Sequence, residues 1–341
     1  MSADFNKSLQ INGLKGFIYI LGDHGDQVQD LTGCAQGVSN IEAASTWKLY
    51  QLWLEQSLFD DKLSILFGLY DLNSEFDCRE ASSIFINPSQ AIGPDFSQTG
   101  KNGPSIFPNT SLALRIKYNF WNNFTLLSSA FDGVPGDPEN PSGTYIILNK
   151  NDGILITNEI DFTNLNEISG GALKLGAGSW FYTSKFEDLT DLDDNGNAVK
   201  REGNLGFYFF GENKIIMGGN FPAKEISFYL RTGTANENVN QFNSYYGGGI
   251  TFKEIFGRKD DIFGISFALA HNSYKYRHLL SYTNSYPDEV QPFEAVWEAT
   301  YNFQLNSYIA IQPDLQFINH PSLSSMHDNL LIPLLRVRFS Y

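Results

Sequence analysis

The residue types that usually carry catalysis are sparse in this chain. Its five histidines, His24, His271, His278, His320 and His327, stand beside no nucleophile and acid of a Ser-His-Asp kind. Its two cysteines, Cys34 and Cys78, form no CxxC and no Cys/His cluster at zinc spacing. One stretch does have metal-ligand spacing. Asp191, Asp193, Asn195, a backbone carbonyl at Asn197 and a bidentate Glu202 fit D-x-[DN]-x-[DN]-G-x5-E, the loop that wraps calcium. No amphipathic helices flank it, and an Asp/Asn/Gly-rich turn has the same composition, so a calcium loop and a plain turn both stand as readings. No other cofactor is implied. The remaining polar side chains recur at even spacing: Arg115 with Lys117, Glu294 with Glu298, Gln312 with Asp314 and Gln316, and Arg336 with Arg338. On an extended chain that spacing puts each set on one face.

The elements that must position these residues are therefore strands. In 294–304, Ala295, Trp297, Ala299, Tyr301 and Phe303 oppose Glu294, Val296, Glu298, Thr300, Asn302 and Gln304. In 307–318, Ile309, Ile311, Pro313, Leu315 and Phe317 oppose Ala310, Gln312, Asp314 and Gln316; in 330–341, Leu335, Val337, Phe339 and Tyr341 oppose Arg336, Arg338 and Ser340. Weaker alternation occupies 50–55, 112–118 and 226–232, and the strand count back from the last strand adds 262–271 and 246–255. Short turns at 59–62, 121–123 and 257–261 alternate with long polar loops at 22–46, 71–110, 133–152, 183–203 and 233–245.

The 341 residues carry 15% aromatics, only 18% charged residues and a net charge of −15. A nucleic-acid surface needs clustered Lys and Arg and is a poor fit. No apolar run approaches the length of a membrane helix. The start, from Met1, lacks the basic segment and apolar core of a secretory signal, which a cytosolic protein and a mature exported chain would lack alike.

Alternation alone also suits a soluble sandwich, such as a secreted lectin. The aromatics, the two persistent faces and the unequal connections favour an all-β transmembrane antiparallel barrel: apolar outside, polar inside, with short periplasmic turns and long outer loops. The chain reads as one such domain, 1–341, in a bacterial outer membrane, facing lipid and lipopolysaccharide. Counting strands back from a periplasmic end places Cys34 and Cys78 in outward loops, where an oxidising compartment allows one bridge between them or two free thiols.

Several segments together resemble the OprB-type carbohydrate-selective porin family: FGLYDLNSEF at 67–76, FPNTSLALR at 107–115, AFDGVPGDP at 130–138, GGGI at 247–250 with GRKDDIFG at 257–264, QPDLQFINHP at 312–321 and the closing LRVRF at 335–339. Terminal Tyr341 departs from the more usual Phe. The resemblance implies sixteen antiparallel strands and passive diffusion of monosaccharides, glucose-like sugars above all, without enzymatic activity. The pattern itself yields fourteen strands, leaving 213–222 and 272–283 as places for the missing pair.

A diffusion pore needs groups that replace a solute's hydration without retaining it. For sugars these are mixed charges toward the hydroxyls and an aromatic plane toward the C–H face. The inward faces offer Glu55, Arg115, Lys117, Arg231, Glu294, Glu298, Gln312, Asp314, Gln316, Arg336 and Arg338, with Trp53 as a stacking platform. Asp71, Glu75 and Arg79 open the 71–110 segment, which is long enough to fold into the pore and narrow it. The competing readings are a general non-selective porin and a barrel whose long loops carry adhesin or enzyme activity. A monomer and a homotrimer are equally compatible with the outward faces.

Overall fold

The computed structural model describes residues 2–4, 11–166, 171–219, 221–283, 290–324 and 327–340. Strands β1 (Ser2–Asp4), β2 (Leu14–Asp23), β3 (Thr46–Leu58), β4 (Leu63–Tyr70), β5 (Ser111–Phe120), β6 (Phe124–Asp132), β7 (Ile154–Asn166) and β8 (Gly171–Tyr182) form the first half of the wall. A small hairpin, β9 (Phe186–Leu192) with β10 (Ala198–Arg201), stands apart from it. The wall resumes with β11 (Asn204–Ile216), β12 (Glu225–Ala235), β13 (Phe242–Lys253), β14 (Ile262–Asn272), β15 (Phe293–Gln304), β16 (Ile309–Asn319) and β17 (Leu330–Phe339). Fifteen of the sixteen wall strands expected are thus paired among the described residues, in one antiparallel sheet following chain order. The sheet curls until its ends approach: one cavity is lined both by Tyr19–Asp23 of β2 and by Leu334–Val337 of β17.

Strand parity follows the sequence. On β15, Glu294, Val296, Glu298 and Thr300 are sealed inside, while Trp297 is 52% exposed on the outer face. On β17, Leu331, Leu335, Val337 and Phe339 all point outward. Such a surface, apolar around the whole wall, is stable only against hydrocarbon. Aromatic rings gather at the short-turn end, where Phe120, Trp121, Phe124 and Phe162 lie 5.0–5.8 Å apart between centroids. These rings form a girdle of the kind that marks a membrane interface.

Three features depart from the alternation. Tyr50 forms a bulge in β3, since Tyr19 pairs with Gln51 and Ile20 with Leu49. The extra residue turns both Tyr50 and Gln51 inward. The proposed strand at 272–283 is instead helix α3 (Tyr274–Thr283), and 213–216 is the tail of β11 rather than a new strand. Tyr341 lies outside the described residues.

The interior also differs from a uniformly hydrated channel. The segment 71–110, including the short helix α2 (Pro94–Ser97), folds inside the barrel and brings its own apolar residues. Leu72, Phe76, Ile92 and Phe96 pack against Phe131, Trp180, Tyr182, Tyr208 and Phe210 of the wall. Phe96 stacks flat on Trp180, with centroids 5.2 Å apart. This side of the barrel interior is therefore an apolar core, because the inserted chain supplies partners that water would not.

Candidate permeation site

The inserted segment runs around the wall as a belt, and the polar inner faces grip it. Near its start, Glu75 accepts from Tyr70 at 2.5 Å and pairs with Arg115 at 2.7 Å and Lys117 at 3.2 Å. Arg115 also reaches Glu55 at 2.8 Å. Further round, Glu159 of β7 accepts the Asp77 N–H at 2.7 Å and the Tyr208 hydroxyl at 2.5 Å. Arg231 of β12 pairs with Asp77 and Asp95, and Arg79 turns back onto Asp77 and the Ala91 carbonyl. On β15 and β16, Glu298 accepts the N–H groups of Ile86 and Asn87 at 2.5 and 3.2 Å, and Gln312 donates to the Ile84 carbonyl at 2.7 Å.

A second inserted stretch follows helix α1 (Val28–Thr32). Glu294 accepts the N–H groups of Ala35, Gln36 and Ser322 at 2.8–3.1 Å, and Gln316 donates to the Val38 carbonyl at 2.9 Å and, more weakly, to Asp314 at 3.3 Å. Arg336 donates to the Asn40 side chain at 2.6 Å, while the Asn40 N–H bonds to the Ile86 carbonyl at 2.8 Å. The two inserted stretches are thereby stitched to each other and to the wall.

Two cavities lie on the β17–β2–β3 side, among the described residues. A cavity of about 820 Å3 meets a second of about 390 Å3, and both are lined by Ser39, Asn40, Glu42, Asp71 and Phe107. These five residues form the neck between them. On the larger side Tyr19, Tyr50 and Phe107 follow one another edge to face, with centroids 5.3 and 6.2 Å apart. The Tyr50 hydroxyl donates to Asp71 at 2.6 Å, and the Asn73 N–H donates to its other oxygen at 2.9 Å. Burial pushes the Asp71 carboxyl up to about 6 despite these two donors. Glu42 is also raised, by burial first and by its neighbours Asp30 and Asp23 in lesser part.

Of the residues expected from sequence to line the pore, Asp71 and Arg336 border these cavities. Glu294, Glu298, Gln312, Asp314, Gln316, Arg115, Arg231 and Arg79 are buried, and each except Asp314 is engaged with an inserted stretch. Glu55, Glu75 and Lys117 join the same ion network. Trp53 does face inward, with its indole N–H on Gln51 at 3.2 Å and its ring stacked on Phe17 at 5.1 Å. Arg338 is exposed toward the short-turn end. The sequence reading omitted Tyr19, Ser39, Asn40, Glu42, Tyr50 and Phe107. Phe107 stands in one of the family-like segments, which was its available signal; Tyr50 was hidden by the bulge.

A family model described as carbohydrate-selective porin, OprB family, matches residues 1–341. The chain belongs to the OprB family of carbohydrate-selective porins. This places it in the bacterial outer membrane as a channel-forming barrel, in a family of transport channels rather than enzymes. Porin B of Pseudomonas aeruginosa is 25% identical over 344 aligned positions, covering 92% of this chain and 71% of the relative. The high-pH structure of Pseudomonas putida OprB superposes with a TM-score of 0.85 at 21% identity, over all of this chain and 86% of that one. The low-pH structure of the same protein gives 0.56 at 17% identity, over all of this chain and 82% of that one.

Neither the two cysteines nor the calcium-like stretch of this OprB-family chain brings its side chains together. Cys34 and Cys78 are both free. Cys34 is buried beside Val38 and Phe242, whereas the Cys78 thiol donates to the Asn73 carbonyl at 2.7 Å within the belt. Each is held by a different inserted stretch. The calcium-like spacing opens out in the β9–β10 hairpin, so its side chains diverge. Asp191 pairs with Arg201 at 2.5 Å and Lys275 at 2.9 Å, Asp193 caps the N–H groups of Asn195 and Asn197, and Glu202 pairs with Lys185 at 2.8 Å. Among the described residues, no group of three or more His, Cys, Asp or Glu side chains is placed to hold a metal ion.

Proposed function

We propose that this OprB-family barrel passes monosaccharides by passive diffusion along the β17–β2–β3 side, with the five-residue neck as its filter. The observation that carries this reading is the neck's composition. Phe107 offers a flat face to sugar C–H groups, while Ser39, Asn40, Glu42 and Asp71 offer short polar groups to hydroxyls. Few contacts of this kind give weak binding and fast release, which a diffusion pore requires. Buried Tyr50 braces the rings of Tyr19 and Phe107 edge to face on either side of it.

Liposome swelling across a sugar series tests the reading. Monosaccharides should enter faster than trisaccharides; equal rates would favour a general non-selective porin. Phe107→Ala should lower monosaccharide selectivity while the barrel still assembles.

A further inference from the structure

We infer that the buried four-charge cluster Asp77–Arg79–Arg231–Asp95 is a lock that sets the position of the belt and hence the bore of the channel. The inference rests on the proposed permeation route, since it concerns how that route is kept narrow. All four side chains are essentially inaccessible to solvent, and their formal charges cancel. Arg231 alone belongs to the wall. Its Nη2 reaches Asp77 at 2.9 Å, and its Nη1 pairs with Asp95, so one guanidinium ties together two points of the belt far apart in sequence. Arg79 closes the figure from within the belt, pairing with Asp77 and donating to the Gln90 and Ala91 carbonyls at 3.2 and 2.7 Å.

The surroundings are shaped for this cluster. Tyr208 and Tyr245 lie 5.5 and 5.2 Å from the Arg231 guanidinium. Gly233 on the same strand and Gly93 on the belt leave room that a Cβ would take: at either position it would overlap both Asp95 and Arg231. A dry ionic cluster recovers little net stability over apolar packing, because desolvation offsets most of the attraction. What it imposes is a unique arrangement, as the fork of a guanidinium satisfies two carboxylates in only one placement. Apolar contacts such as Phe96 on Trp180 hold the belt inside; Arg231 fixes where it sits.

Single-channel conductance in planar bilayers, together with swelling in a sugar size series, tests the lock in the full-length protein. Arg231→Met leaves Asp95 buried without its cation and Asp77 held by Arg79 alone, so the belt should shift and the conductance rise at least about two-fold, with trisaccharides admitted. Arg231→Lys, a point charge without the fork, should give an intermediate conductance. Gly233→Ala keeps every charge yet crowds the Asp95–Arg231 pair, and should widen the channel in the same direction. Heat-modifiable migration verifies that each barrel has assembled. Assembled Arg231→Met with wild-type conductance and size limit would overturn the lock; if that variant does not assemble, Gly233→Ala and Asp95→Asn decide by the same readings. A wild-type channel that passes trisaccharides as fast as monosaccharides would overturn the sugar filter instead, while the conductance comparison would still judge the lock.

Discussion

Asp71 stands where the two cavities meet, and its carboxyl titrates near 6 rather than near the ordinary aspartate value. An acid whose value is raised gains its proton earlier as the solution is acidified. The neck therefore carries more negative charge at neutral pH than below about pH 5. In a salt gradient, the reversal potential should show cation preference at neutral pH that fades as pH falls through this range. Asp71→Asn should remove much of that change; an unaltered titration would mean that Asp71 does not face the conducting path. Arg336 and the buried Glu294 and Glu298 illustrate what sequence can and cannot tell about a side chain. Their inward direction was legible from strand parity, yet their partners, the backbone of two inserted stretches, were not, because strand spacing says nothing about what fills the interior.

Helix α2 carries a single aromatic side chain, Phe96, and the stacking of that ring on Trp180 anchors the middle of the belt. Phe96→Ala removes a fully buried ring and should weaken docking of the belt by about 3–5 kcal/mol. Hydrogen exchange should then accelerate within 71–110 while the wall strands stay protected; uniform acceleration would show that belt and wall unfold as one. The β9–β10 hairpin is joined to α3 differently. Asp188 accepts from Lys275 at 2.8 Å and Arg201 at 2.8 Å. Burial tends to raise Asp188, but Lys275, two backbone N–H groups and Arg201 outweigh it and hold the carboxyl well below its usual range. The contribution is thus full above the unfolded value near 4 and is lost only as pH falls toward the depressed folded one. Asp188→Asn should expose the hairpin to proteolysis at neutral pH, as strongly acidic solution should for the native chain. None of this was legible in the sequence, where 272–283 read as a blurred strand. The 274–283 helix lies outside the wall, where the two-residue alternation imposed by lipid does not apply.

At the scale of the molecule, the wall is the part that sequence describes best, since a strand between water or protein on one side and hydrocarbon on the other must alternate. Outward Leu331, Leu335, Val337 and Phe339 repeat that rule on the last strand, and the short turns fall where expected. The interior follows a second rule set, that of a globular core with buried ion pairs, and its contacts join residues hundreds of positions apart. The purified chain should require detergent for solubility and migrate differently in gels before and after boiling, as a ladder-bonded barrel resists unfolding until heated. Free solubility without amphiphile would contradict the outward faces seen here.

Because the belt is a continuous loop between two neighbouring strands, β4 and β5, its length and composition can vary while the ladder on either side stays the same. On the proposed route, substitutions within 71–110 that spare Asp77 and Asp95 would retune the calibre for a new cargo without disturbing a rung of the wall.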